Sequence, residues 1–338
     1  MTTTESPLGV TFASFQALGL RTGIDVARDA EALGYSSFWT AETVGQEAFS
    51  TLAAVGSAAP TMGLGTGVLA LQLRTPMLTA MGAATLQDLS PDVEILLGVG
   101  VSSPVVVGRW HGADYGERPI ERVREYLELT RACLSGEPVT HEGEFYRCNR
   151  FRLGVRLGDR RPRLVLGALN ERMLALAGEL ADGVLLNYLP ASAVPWCIDQ
   201  VRAGEARAGR PPGECTVYAY VHVGVTDRDS AMPNARQDLF SYAVVPAYAR
   251  AFERAGFGDE VAALQLAHAT GDRAAAIAAI SDTMVDAIDI CGDAHTVSAA
   301  VQSYRDAGVE VPVIMPLPWG EDRRGVLEAT LDASTSSP

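Results

Sequence analysis

Eight short apolar runs, each followed by a longer stretch in which apolar residues recur at every third or fourth position, set the tightest limit on how this chain can fold. The runs are Leu8 to Phe15, Ser36 to Glu42, Met62 to Leu71, Val93 to Gly100, Arg163 to Leu169, Gly183 to Leu189, Thr216 to Thr226 and Val311 to Pro318. Parallel strands need long crossovers, usually helices, so this alternation reads as a parallel sheet. Ile95-Leu-Leu-Gly-Val99 and Val311-Pro-Val-Ile-Met315 are apolar at nearly every position, as strands covered on both faces are. Pro312 supplies no ladder N–H and is tolerable because it stands beside the start of its run. Thr22 to Leu33, Ile120 to Leu134 and Ala294 to Ala307 carry helical spacing, with Gly34 and Gly308 placed where helices end in left-handed backbone. Eight such units predict a closed (β/α)8 TIM barrel.

An open doubly wound sheet would show the same alternation. Its nucleotide fingerprint is missing here: Gly98-Val-Gly-Val-Ser-Ser103 does not complete GxGxxG, and no acidic residue follows at the expected distance. The 338 residues suit one large barrel. One domain over residues 1–338 is expected, with two stretches in excess of a minimal barrel, about 136–161 and 230–286, read as insertions at the C-terminal mouth.

Charge and composition narrow the chemistry. The net charge of -14 repels phosphate backbones, so nucleic acid is not an expected partner. All 27 basic residues are arginine, which excludes Schiff-base mechanisms built on lysine. Five dispersed cysteines form no CxxC pair, as in a reducing compartment, and no His, Cys or carboxylate group shows metal-ligand spacing. The first residues lack a leader pattern and no run is long enough to span a bilayer, so the expectation is a cytoplasmic protein without membrane contact.

Several motifs occur in a telling order: Ala32-Leu-Gly-Tyr-Ser-Ser-Phe-Trp-Thr-Ala-Glu42, Leu64-Gly-Thr-Gly-Val68 with Arg74-Thr-Pro76, Leu97-Gly-Val-Gly100, Trp110-His-Gly112 and Leu176-Ala-Gly-Glu-Leu-Ala-Asp-Gly-Val184. Together they resemble the bacterial luciferase-like superfamily, and within it the coenzyme F420-dependent oxidoreductases, over nearly the whole chain. The resemblance implies a flat redox cofactor, F420 or alternatively FMN, lying across the mouth where barrel enzymes place their chemistry. It implies a cis peptide between Gly67 and Val68 behind the ring; a plain glycine kink is the alternative. It further implies cofactor contacts from Glu42 and Thr43 after strand 2, from Gly100, Ser102 and Ser103 after strand 4, and from Gly167, Ala168, Leu169 and Asn170 after strand 5. The last four open a helix, whose first amides form a natural phosphate site, with Asn170 as cap or as donor to the anion.

Thr43 and Ser103 stand where sugar-phosphate dehydrogenases of the superfamily carry His and Glu, which argues against that activity and removes the histidine that bacterial luciferase has in place of Thr43. Glu42 is then the ionisable candidate for proton transfer, or else a carboxylate that only accepts hydrogen bonds. His111 reads as a loop anchor, Asp182 as a brace at the entry to strand 6, and His222 as a strand residue that either faces the mouth or is a satisfied core histidine. The arginines at 147, 150, 152, 156, 160 and 161 form either a docking site for an acidic cofactor tail or a solvated face. The resulting expectation is hydride transfer between the deazaflavin C5 and a small organic substrate in a homodimer. A reduced-FMN monooxygenase and a non-catalytic cofactor-binding barrel are the alternatives.

Overall fold

All eight apolar runs become parallel strands, shorter than the runs themselves: β1 Gly9–Thr11, β2 Ser37–Thr40, β3 Gly63–Thr66, β4 Ile95–Gly100, β5 Arg163–Gly167, β6 Gly183–Leu186, β7 Thr216–Val225 and β8 Val311–Pro316. The computed structural model describes residues 7–336. Each strand pairs in parallel with the next, and β8 returns to β1 through Gly9 opposite Val313, so the sheet closes on itself. Pro312 sits inside β8 opposite Ala219. The runs overshot the strands because apolar residues continue into the loops at the mouth.

Period two sorts the side chains. Trp39, Leu96, Val165, Leu185, Tyr218 and Val313 fill the barrel interior. Their neighbours Phe38, Leu97, Leu164, Val184 and Val217 point outward to the helices. The expected helices form at Leu20–Ala32, Pro119–Leu134 and Ala294–Asp306. Gly34 and Gly308 follow two of them at φ 84° and 100°, a conformation that a β-carbon disfavours. At the face opposite the mouth, Asp182 accepts from the amide of Leu164 at 2.7 Å and pairs with Arg131 at 3.0 Å, the brace expected of it.

The two excess stretches differ. The first contains an antiparallel hairpin, Val139–Glu142 with Arg147–Phe151, which leaves and rejoins the barrel at the face opposite the mouth. Only its tip climbs, where Glu144 meets Arg118 at the start of the helix Pro119–Leu134. Four of the six arginines are engaged there: Arg147 pairs with Glu142, Arg152 donates to Gly136 O, Arg160 to Asp92 O and Arg161 to Leu134 O. That placement removes the reading of the group as a receptor for an acidic tail at the mouth. The second stretch does rise over the mouth, as helices from Arg228–Ala243 to Asp282–Ile288. It ends in a strand the sequence did not signal, Asp289–Gly292, which pairs in parallel with His222 to Val225 of β7. Thus β7, ten residues long, pairs with β6 in its first half and with this extra strand in its second.

Candidate active site

β3 stops at Thr66, where the barrel wall turns through Gly67 and Val68, joined by a cis peptide bond as the resemblance implied. The Gly67 amide donates to Thr40 O at 2.7 Å, and its carbonyl accepts from the Tyr220 hydroxyl at 2.8 Å. A β-carbon at Gly67 would overlap that hydroxyl. The half-buried Val68 side chain rests on a bed of glycines from β4 and β5. A β-carbon would stand 2.9 Å from Val68 Cγ2 at Gly100 and 3.2 Å from Cγ1 at Gly167, and at Gly98 it would strike Thr66 O. Glycine at these three positions leaves the room in which the Val68 side chain and the Thr66 carbonyl lie against the wall.

Beside this surface, Glu42 ends the β2 turn but does not stand free. Arg74 Nη2 donates to its Oε1 at 2.8 Å and Nε to its Oε2 at 3.3 Å, while the Ala48 amide donates to Oε1 at 3.1 Å. Arg74 lies over the Phe49 ring at 5.0 Å and also pairs with Glu47, which caps the helix Ala48–Ala58. Glu42 therefore locks the β2 loop to Arg74. Thr43 is exposed, and its carbonyl meets His111 Nε2 at 2.6 Å, which gives His111 the anchoring place read for it. Ser103 Oγ accepts from the Val106 amide at 3.2 Å and starts the turn Val105–Trp110, with Ser102 half-buried before it.

At the end of β5, Gly167, Ala168, Leu169 and Asn170 lead into the helix Glu171–Leu180. Asn170 occupies the cap position, but its side chain makes no cap bond. Its Nδ2 donates to Ala247 O at 3.2 Å and its Oδ1 accepts from Arg254 at 3.3 Å, so the insertion helices take the side chain away from the helix end. The amides of the first turn keep no side-chain partner from this position, as an anion site requires. Arg254 stands beside them, donating to Leu169 O at 2.8 Å and stacked 4.0 Å over Trp196. A cavity of about 350 Å³ opens there, lined by Leu169, Leu189, Trp196, Cys197, Ala251 and Arg254.

Across the mouth lies a polar group that sequence spacing did not assemble. His222 follows Tyr218 and Tyr220 on the inward face of β7, and the extra strand brings Asp289 opposite it. His222 Nδ1 is 3.0 Å from Asp289 Oδ1 and Nε2 is 2.9 Å from Asn187 Oδ1. Tyr188, at φ 49°, turns its edge to His222 and donates to Asp238 Oδ2 at 2.7 Å. Burial dominates the titration here: it pushes His222 down to about 4, Asp238 up to about 6 with help from the Asp289 charge, and Asp289 well above the carboxylate range. The alternation Tyr218, Tyr220, His222 was the one sequence signal that pointed His222 at the mouth. Asp238 and Asp289 gave none, since both lie in the insertion or at its end.

Comparison with known proteins follows the same outline. The pattern of the luciferase-like monooxygenase family matches residues 5–310. A 5,10-methylenetetrahydromethanopterin reductase of Methanolobus tindarius is 28% identical over 307 residues, covering 89% of this chain and 92% of its own. A Mycobacterium tuberculosis protein named for coenzyme F420-dependent oxidoreduction is 32% identical over 307 residues, covering 84% and 88%. The solved F420-dependent tetrahydromethanopterin reductase of Methanopyrus kandleri superposes with a TM-score of 0.80 at 23% identity, over 98% of both chains, and so shares the fold.

Proposed function

The chain belongs to the luciferase-like monooxygenase family, and from that premise we propose that it is a coenzyme F420-dependent oxidoreductase moving a hydride between the deazaflavin C5 and a small organic substrate. The observation that carries this reading is the glycine bed of Gly98, Gly100 and Gly167, which leaves room for Val68 to lie against the wall as the backing of a planar ring. The Mycobacterium tuberculosis relative named for F420-dependent chemistry supports the choice of ring system.

In this reading Gly67 and Val68 back the ring, with Thr43, Gly100, Ser102 and Ser103 along its edges. Gly167, Ala168 and Leu169 line the tail, and the first turn of Glu171–Leu180 with Arg254 receives its phosphate. The bound cofactor supplies the hydride chemistry; the chain supplies orientation and exclusion of water. Glu42 holds the β2 loop in place through Arg74.

Titrating the purified apoprotein separately with F420 and with FMN, each followed through its own absorbance band, tests the reading. F420 is expected to bind and FMN to bind far more weakly. Preferential binding of FMN would transfer the chain to the reduced-FMN monooxygenases. Tight F420 binding without oxidation of the reduced cofactor by any small carbonyl or imine acceptor would leave a binding protein.

A further inference from the structure

Burying a carboxylate or an imidazole strips it of water, so each such atom needs a partner inside the protein. His222 and Asp289 are 2% and 0% exposed, and Asp289 Oδ2 has no hydrogen-bond partner among the described residues. The ligand atoms of His222, Asp238 and Asp289 all lie within 4.8 Å of one another. The groups acting on Asp238 are Asp289, Tyr188 and His222, with no arginine among them, and the chain has no lysine to offer.

A neutral imidazole has one donor and one acceptor nitrogen. Asn187 places its Oδ1 2.9 Å from Nε2. With Nε2–H donating to that oxygen, Nδ1 turns its lone pair toward Asp289 Oδ1 at 3.0 Å. Two lone pairs at that distance need either a proton or a cation between them, and the unpartnered second oxygen of Asp289 beside Asp238 favours the cation.

We propose that His222 Nδ1 and one oxygen each of Asp238 and Asp289 hold a divalent first-row transition cation. A separation of 3.0 Å between Nδ1 and Oδ1 is the edge of a coordination shell whose ligands stand about 2.0 to 2.2 Å from the ion. One imidazole with two carboxylates suits Mn²⁺, Fe²⁺, Co²⁺ or Zn²⁺ over Ca²⁺, which takes oxygen alone. The outer shell is in place: Asn187 fixes the histidine tautomer and Tyr188 orients Asp238. Such an ion joins the barrel wall at His222 to the insertion at Asp238 and Asp289, and so fastens the insertion over the mouth. It is independent of the cofactor reading, since neither depends on the other's ligand.

The test uses the full chain stripped with a chelator and titrated with Zn²⁺ and Mn²⁺ alone, followed by calorimetry, metal content and thermal unfolding. About one ion per chain is expected, with a rise in the unfolding midpoint of about 3 °C at a hundredfold excess over Kd. Asp289→Asn should weaken uptake at least ~100-fold and Tyr188→Phe about tenfold, the second variant serving if the first does not fold. Uptake below about 0.1 ion per chain in the unaltered protein would overturn the proposal and leave a proton between His222 and Asp289. Uptake unchanged in both variants would also overturn it, placing the ion elsewhere, for instance on the cysteines.

Discussion

The Tyr220 hydroxyl donates to the carbonyl oxygen of Gly67 at 2.8 Å, so a side chain from the far wall of the barrel holds the floor of the proposed cofactor surface. Thr11 adds its own hydroxyl to Tyr220 at 3.4 Å. Tyr220→Phe should therefore leave a buried carbonyl unpaired, cost about 1 to 2 kcal/mol in urea unfolding, and weaken F420 binding about tenfold. Gly67→Ala should be worse, since its β-carbon collides with the hydroxyl. Combining the two changes should recover part of the loss, because the colliding oxygen is gone while the ring carbon and Leu185 remain near 3 Å. Strictly additive losses would show that the two residues do not meet as described.

Glu42 and Arg74 make a different kind of statement. Both carboxylate oxygens are occupied by Arg74, with 14% and 16% of the two side chains exposed. Glu42→Gln should lower stability by about 1 to 3 kcal/mol, the cost of leaving a mostly buried donor of Arg74 short of its acceptor. Turnover with F420 should stay within about threefold of the unaltered protein. A fall of 100-fold or more in kcat, with F420 affinity unchanged, would restore Glu42 as a proton carrier.

The barrel was legible because its strands are buried on both faces, which leaves contiguous apolar runs such as Ile95 to Val99 in any reading frame. Gly67, Gly100 and Gly167 were legible through the motifs that carry the family resemblance, whereas the close approach of Gly98 to Thr66 O emerges only with the fold. The Asp289–Gly292 strand was not legible, because four residues beginning with an aspartate carry no period, and only its pairing with β7 makes it a strand. Of the two readings left open for Asn170, the side-chain cap bond does not form, for a tertiary reason: Ala247 and Arg254 compete for its side chain. The His222 group spans positions 222 to 289, so no spacing rule could find it.

Glu125 shows how the hairpin is fastened and when it should let go. Its carboxylate accepts from the amides of Phe145 and Tyr146 at 3.0 and 2.9 Å and meets His141 Nε2 at 3.0 Å. Burial pushes its pKa up, but the bonds from His141 and the two amides outweigh that and hold it below its ordinary 4.5. A carboxyl whose folded value is depressed contributes stability above its unfolded value, and that contribution is lost as pH falls through the folded one. Glu125→Gln should thus be less stable by about 1 kcal/mol at pH 7, with the gap closing as pH drops below 4.5. Hydrogen exchange at Phe145 and Tyr146 across that range checks it, and a gap that persists unchanged at low pH would contradict the assignment.

Arg254 offers the sharpest division of the proposed cofactor site into ring and tail. Its guanidinium reaches Leu169 O and Asn170 Oδ1 from the insertion, next to the uncapped first turn of Glu171–Leu180. A positive side chain beside the positive end of a helix has a purpose if an anion lies between them. Arg254→Ala should raise the Kd for F420 about tenfold, an effect that weakens as salt is added. A deazaflavin lacking the phosphate tail should bind the variant and the unaltered protein equally, because the glycine bed under Val68 is untouched. Equal losses for both ligands would mean that Arg254 only shapes the cavity around Trp196, and the phosphate would then have to be sought elsewhere along the mouth.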